Sequence, residues 1–375
     1  MTTTTGYADL DVVLDPDRLR SVLDRGDITV TRVRHKPGQY AVAALADDEG
    51  PAGWARVTAD LDRGKRDVER GGRVGREVTL RSAGGGLFVS SGDLWSDPKL
   101  AGILARHADV VDASVVVRHN PLRRLVLRRG AAQIRVTAEP QPEVEAWAPA
   151  LLDETAALTA VLRGRSGPHL TRWEWVPGHS LEHRLGADLQ SGHASGEHLG
   201  RLLARVHSTP HTSGPSVPDL PTLDRAGLRR AAGDLGVLDP HLGARMESLV
   251  RTLPEARRAP RVLLHGDYSA DQVILTATGP RVIDLDRAGI GPAVRDIASA
   301  LAVESLRSGA PGGPVGEGLR RGYEDAGGRW PATEDLAGAT AAALLSRAQE
   351  PLRQARPDWR DATSGILAMT ADLLR

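Results

Sequence analysis

The chain has 375 residues, with 48 Lys and Arg against 48 Asp and Glu, 41% hydrophobic residues and no cysteine. Balanced charge argues against bulk affinity for nucleic acid or an anionic membrane surface, and the lack of cysteine excludes disulfides, thiolate nucleophiles and thiolate metal sites. The apolar fraction supplies a core, the length suits two or three packed lobes, and neither a basic, apolar leader nor a long apolar run is present, so a cytoplasmic protein without an export signal or membrane span is expected.

In chain order, a repeat comes first. Arg34-His-Lys-Pro37 recurs as Arg118-His-Asn-Pro121, each followed by an apolar strand pattern (Tyr40–Leu45; Leu125–Leu127) and a second strand, Ala55–Asp60 and Ile134–Glu139. Turn residues between them make both copies β-hairpins, a duplicated β-rich region rather than a solenoid. From Val144 to Leu162 apolar residues fall at helical spacing around Leu151, Leu152, Ala156 and Leu158. Thr171–Val176 alternates like a strand and stops at Pro177-Gly178, and Gly196–Ser208 reads as an amphipathic helix. Short apolar strands follow at Arg261–Leu264, Val273–Leu275 and Arg281–Ile283; beyond Asp296 the chain reads helical, broken by the Gly/Pro-rich stretch 309–316. The order is β-rich then α-rich, which predicts two lobes around a cleft.

The segment richest in chemistry runs from Leu264-His-Gly-Asp267 through Gln272 to Ile283-Asp284 and Asp296. Asp267 follows an apolar strand and His265-Gly266, which places its carboxylate on a tight loop. Gln272 offers an amide oxygen and Asp284 ends another buried strand. Carboxylates at strand ends beside an amide oxygen suit Mg²⁺, which binds through one or two carboxylates together with substrate phosphates. A second carboxylate then orients a hydroxyl and takes its proton. Phosphoryl transfer asks for little more than this positioning, metal charge and a phosphate cradle.

His265-Gly-Asp267-x4-Gln272 followed by Ile283-Asp284 resembles the catalytic loop and metal-binding aspartate of the aminoglycoside phosphotransferase family, relatives of protein kinases. The resemblance covers the chain from about residue 110 onward. It implies an α+β, bilobal protein-kinase-like fold with a small lobe and hinge at 108–176 and an α-rich large lobe at 177–375; the duplicated β-rich pattern adds an N-terminal extension at 1–107. It implies Asp267 as catalytic base, His265 as a loop-bracing residue beside it, Gln272 and Asp284 as Mg²⁺ ligands, and Asp296 as a brace for the loop. Glu174, Trp175 and Val176 would be the hinge that meets the adenine of ATP. Two features depart from the family. Glutamine stands where asparagine is usual, and no lysine exists beyond Lys99 to hold the α- and β-phosphates, so Arg135 takes that place by position. Glu154, with Glu145 as competitor, is the candidate helix partner of Arg135.

The expected activity is ATP- and Mg²⁺-dependent transfer of the γ-phosphoryl group to a hydroxyl. The acceptor is an aminoglycoside, a sugar, a nucleoside natural product, or Ser/Thr of a biosynthetic precursor peptide with a partner protein. Acceptor contacts are expected at 178–226 and 286–350. A polycationic acceptor wants an acidic floor, to which Glu182, Asp188, Asp219, Asp224, Asp286 and Glu304 could contribute, though no dense acidic cluster stands out. A pseudokinase scaffold that has lost transfer is the rival from another class. His179-Ser-Leu-Glu-His183 also fits a zinc-peptidase pattern if both histidines share a helix face.

Overall fold

The run Tyr40-Ala-Val-Ala-Ala-Leu45 is buried at every position, so both faces of this strand need cover. The computed structural model, which describes residues 8–112, 114–185, 189–212, 214, 217–255 and 259–375, makes it the second strand of a five-stranded antiparallel sheet. The strands are β1 (Thr29–Lys36), β2 (Tyr40–Asp47), β3 (Gly50–Thr58), β4 (Val78–Gly84) and β5 (Leu87–Gly92), in the order β1-β2-β3-β5-β4. A second five-stranded sheet repeats that order. It contains β6 (Val115–Asn120), β7 (Arg124–Arg129), β8 (Ala132–Thr137), β9 (Leu162–Arg165) and β10 (Leu170–Glu174), arranged β6-β7-β8-β10-β9.

The repeat seen as two hairpins therefore extends to the whole sheet and to what precedes it. Two short helices, Ala8–Leu14 and Pro16–Leu23, come before the first sheet; Ala101–Arg106 and Ala108–Val111 come before the second. Leu100, Ile103, Leu104, Val110 and Val111 form one buried cluster with Leu125, Leu127, Ile134, Val136 and Leu170 of the second sheet. Helices this short leave too few turns for an apolar period to be read from sequence.

The turns correspond as well. Lys36 faces Tyr40 and Asn120 faces Arg124, and the left-handed residue is Gly38 (φ 68°) in the first turn and Leu122 (φ 62°) in the second. Leucine is strained in that conformation. Its side chain is 1% exposed against Tyr40 and Val42, and its N–H donates to Asp97 Oδ2 at 2.7 Å, so burial and a charged acceptor hold the strain in place.

Arg56 and Arg135 occupy the same register position in the two copies. Arg56 lies between Val42 and Ser90, Arg135 between Val126 and Thr171, and both are almost wholly buried. In the first copy the helix Leu61–Arg73 connects the third strand to the fourth and brings Asp67 to Arg56 at 3.1 Å, with Ser90 Oγ donating to the same carboxylate at 2.7 Å. The second copy has no such helix. Between β8 and β9 only Val144–Trp147 is α-helical and Pro149–Leu152 is a single 3₁₀ turn, so the helix expected across Val144–Leu162 is not formed. Pro149 removes a backbone donor, Asp153 Oδ1 accepts from the Thr155 N–H at 2.9 Å to close a local turn, and Ala157 has φ 49°.

The chain divides into two compact units. One contains Met1–Gln141, Arg163–Trp175 and Glu350–Arg360; the other contains Pro142–Leu162, Val176–Gln349 and Asp361–Arg375. The second unit is mainly helical. Its longest helices, Leu189–His207, Val294–Ser308 and Trp359–Leu373, accompany two small sheets: β11 (His179–Ser180) with β13 (Val273–Thr276) and β14 (Gly279–Val282), and β12 (Arg261–Leu264) with β15 (Gly289–Pro292). The helix Leu189–His207 packs backbone to backbone on Gly313–Asp325: a Cβ on Gly200 would lie 2.2 Å from the Leu319 carbonyl oxygen. Among the described residues, no helix is long and apolar enough to cross a membrane.

Candidate active site

The loop that carries Asp267 leaves β12 at Leu264, which is paired with Gly289 of β15. Gly266 has φ 82°, and a Cβ there would sit 1.9 Å from the Arg287 carbonyl oxygen. Only glycine permits this conformation and this approach, so the loop lies directly against the segment that follows Asp284.

His265 is fully buried and satisfied at both ring nitrogens. Nε2 donates to the Ile283 carbonyl at 2.8 Å, and Nδ1 accepts the Asp267 N–H at 3.3 Å. Because a carbonyl only accepts and an amide N–H only donates, the ring is the neutral Nε2–H form. Ile283 N–H in turn donates to the Gln272 carbonyl at 2.9 Å. Val273 faces Val282 across the β13–β14 hairpin, so this web brings Gln272 beside Ile283-Asp284 and ties both to the Asp267 loop through His265. Asp284 itself is left-handed (φ 64°, ψ 64°), a conformation aspartate tolerates better than most residues and one found at functional sites.

Beneath the loop, Asp296 in the first turn of Val294–Ser308 is fully buried. It accepts the His265 N–H at 2.7 Å and the Gly266 N–H at 2.9 Å, with His207 Nε2 at 3.3 Å, while His207 Nδ1 lies 2.8 Å from the Tyr323 hydroxyl. Burial alone would push the Asp296 carboxyl up. The hydrogen bond and charge of His207, together with His265, outweigh it and hold the group below the usual carboxylate range. Tyr323, desolvated and facing the Asp296 charge, is pushed up to about 12.

Asp267 is more open, with 38% of its side chain exposed, and two guanidiniums grip it. Arg287 Nη1 lies 3.1 Å from Oδ2 and Arg347 Nη2 lies 3.2 Å from Oδ1. Arg347 caps the helix Thr333–Ser346 and is itself fixed, donating to Ser299 Oγ at 2.9 Å and the Ala343 carbonyl at 3.1 Å. Neither arginine is singled out by sequence. Arg287 follows Asp284 closely, but Arg347 lies 80 residues from Asp267, and in an arginine-rich chain nothing marks it.

The remaining expected residues fall as follows. Arg135 is buried on β8, and its carbonyl accepts from Gln141 Nε2 at 3.3 Å. Glu174 ends β10, Trp175 N–H donates to the Ala131 carbonyl at 2.8 Å with Arg128 stacked 4.5 Å over its ring, and the chain passes from the first unit to the second between Trp175 and Val176. Glu154 is exposed in the turn after Asp153, and Glu145 lies on the four-residue helix Val144–Trp147. His179 and His183 share no helix face, one being on β11 and the other on the 3₁₀ turn Leu181–Arg184. Of the six candidate acids, Asp219 pairs with Arg261, Asp224 caps Arg225–Leu238 and Glu304 pairs with Arg307 at 2.7 Å. Glu182 is exposed, Asp286 is half-buried in the 3₁₀ turn after Asp284, and Asp188 lies outside the described residues.

The model of the APH phosphotransferase enzyme family matches residues 104–356, more than half of the chain and all of the loop web just described. The chain belongs to this family. It is a phosphotransferase with an alcohol group as acceptor, built on the protein-kinase-like fold. No curated protein matches it. Among solved structures, a choline/ethanolamine kinase family protein from Mesorhizobium loti is similar at 16% identity and a TM-score of 0.50, over 75% of this chain and 95% of that one. Choline kinase from Cryptosporidium parvum Iowa II has 11% identity and a TM-score of 0.50, over 69% and 88%. Macrolide 2'-phosphotransferase from Brachybacterium faecium has 18% identity and a TM-score of 0.43, over 72% and 98%.

Proposed function

We propose that this phosphotransferase moves the γ-phosphoryl group of ATP to a hydroxyl of a small molecule, with Asp267 as the base. The observation that carries the reading is the web Asp267–His265–Ile283–Gln272, which holds a half-exposed carboxylate beside a second, left-handed aspartate on one rigid frame. Asp267 accepts the acceptor's hydroxyl proton as the new oxygen–phosphorus bond forms and the bond to the departing ADP breaks. His265 takes no proton in this scheme, because both its nitrogens are committed to orienting the loop.

The donor set suits Mg²⁺. Asp284 supplies a carboxylate and Gln272 an amide oxygen, and the Gln272 Nε2 donates to Asp271 Oδ2 at 2.6 Å, which leaves the carbonyl end of the amide for a cation. Bound there, Mg²⁺ would neutralise charge on the transferred phosphoryl group. Arg135 is the residue assigned to the α- and β-phosphates, and the backbone of Glu174–Val176 to the adenine edge. The choline kinase among the structural relatives is named for a small alcohol, which supports a small-molecule acceptor over a peptide. The test is transfer of labelled γ-phosphate from ATP into an organic product across a panel of sugars, nucleosides, amino alcohols and aminoglycosides. Label in an acid-stable, organic product that disappears with EDTA is the expected result; label confined to inorganic phosphate for every acceptor speaks against the reading.

A further inference from the structure

We infer a second small-molecule site in the mainly helical unit, apart from the phosphotransfer centre. It takes an uncharged aromatic compound with a hydrogen-bond-accepting oxygen, and its occupancy stiffens the Asp267 loop. A cavity of about 460 Å³ opens there, and none of Asp267, Gln272 or Asp284 lines it. The volume lies in the ~300–1,000 Å³ range of small-molecule sites. A partner helix, about 10 Å across and about 5.4 Å per turn, would fit roughly one turn in it, too short for the spaced anchors of a docked helix. Pro254, Val262, Val294 and Ala339 give it an apolar wall. Trp330 and Tyr323 also line it and meet edge to face at 6.1 Å, which favours a flat aromatic guest. Thr222 and Trp330 are half-buried on the lining, and neither side chain has a hydrogen-bond partner among the described residues. An indole N–H only donates and a hydroxyl does either, so an accepting oxygen on the guest serves both. The charged side chains on the lining are Glu255, Arg329 and Asp335, and Glu255 pairs with Arg225 at 3.5 Å, so two acids meet two bases and a charged guest gains no net pull. His207 is committed to Asp296 and Tyr323.

Three elements that meet at the cavity carry the frame of the loop. β12 lines it at Val262 and leads from there into His265 and Asp267. The helix Val294–Ser308 lines it at Val294 and holds Asp296, which accepts the His265 and Gly266 N–H groups. The helix Thr333–Ser346 lines it at Ala339 and is capped by Arg347, about 12 Å further along the axis, which reaches Asp267 Oδ1. A guest packed among these roots fills the space into which they shift, so the bound state is the stiffer one.

The experiment is calorimetric titration of the full chain with 2-naphthol and chromone, with and without saturating Mg·AMP-PNP, and with 2-naphthoate as the charged control. Wild type is expected to bind at least one uncharged probe in a one-to-one complex, more tightly than 2-naphthoate and equally well in both conditions. Ala332 is exposed on the lining and its side chain caps nothing, so Ala332→Trp obstructs the mouth at an unchanged melting temperature and is expected to weaken the probe at least tenfold. Thr222→Val is expected to weaken it roughly 2- to 10-fold, the worth of one hydrogen bond. Hydrogen exchange of the peptide spanning 263–268, read by mass spectrometry, is expected to slow by about 3-fold or more in the probe-saturated protein. No saturable binding of either probe, binding that competes with Mg·AMP-PNP, or binding that Ala332→Trp leaves intact overturns the site. Tighter binding of 2-naphthoate overturns the ligand class, and unchanged exchange at saturation overturns the effect on the loop. None of these readouts needs turnover, so failure of the phosphotransferase reading shows separately, as absent Mg·AMP-PNP binding.

Discussion

Asp267→Asn is expected to lower phosphoryl transfer by about 10²- to 10⁴-fold, the usual worth of a positioned general base, while Mg·ATP affinity stays within a few-fold of wild type. The amide keeps the size and one acceptor oxygen but takes no proton. It also leaves Arg287 and Arg347, at 3.1 and 3.2 Å, without the charge they now balance. The two effects separate in kinetics: loss of the base lowers kcat, whereas misplaced arginines raise the acceptor KM. Steady-state rates of the variant on whichever acceptor wild type phosphorylates check this. A variant that retains turnover within a few-fold would remove Asp267 from the chemistry.

Asp296→Asn is expected to cost about 1–3 kcal/mol of stability, the range for leaving a buried hydrogen-bonding group without its partner. Asp296 accepts two backbone N–H groups on different oxygens, from His265 and Gly266. Asparagine must turn an NH₂ toward one of them, so one buried amide donor loses its partner and the Asp267 loop loosens. Urea unfolding measures the loss. The pH dependence follows from the lowered folded pKa: the Asp296 contribution is present above the ordinary carboxylate pKa and is lost as pH falls through the lower folded value. Wild type should therefore lose this stabilisation below the ordinary carboxylate range, and the variant should show a flatter acid limb.

Those two residues also show what was legible beforehand. Asp267, Gln272, Asp284 and Asp296 are close in sequence and sit at strand and helix ends, where side-chain type and spacing constrain geometry. The family and the fold followed from them. Arg347 was not legible, because its position depends on where the helix Thr333–Ser346 ends, 80 residues from Asp267. His207 was hidden for the same reason: it closes a helix whose apolar period was plain, but its bond to Asp296 spans 89 residues. The hairpin repeat was visible through Arg-His and the flanking apolar runs. The five-strand order was not, since it depends on β5 and β10 inserting beside the third strands of their sheets. The helix expected across Val144–Leu162 does not form because Pro149 and the Asp153 turn override its apolar spacing.

Calorimetric titration of Mg·ATP into wild type and Asp284→Ala tests the central claim most directly. The account predicts Mg²⁺-dependent binding in wild type that falls at least tenfold in the variant, whose fold should survive because Asp284 lies on the loop web and not in the core. No Mg²⁺-dependent binding by either protein would contradict it and would make the chain a scaffold that keeps a kinase's shape.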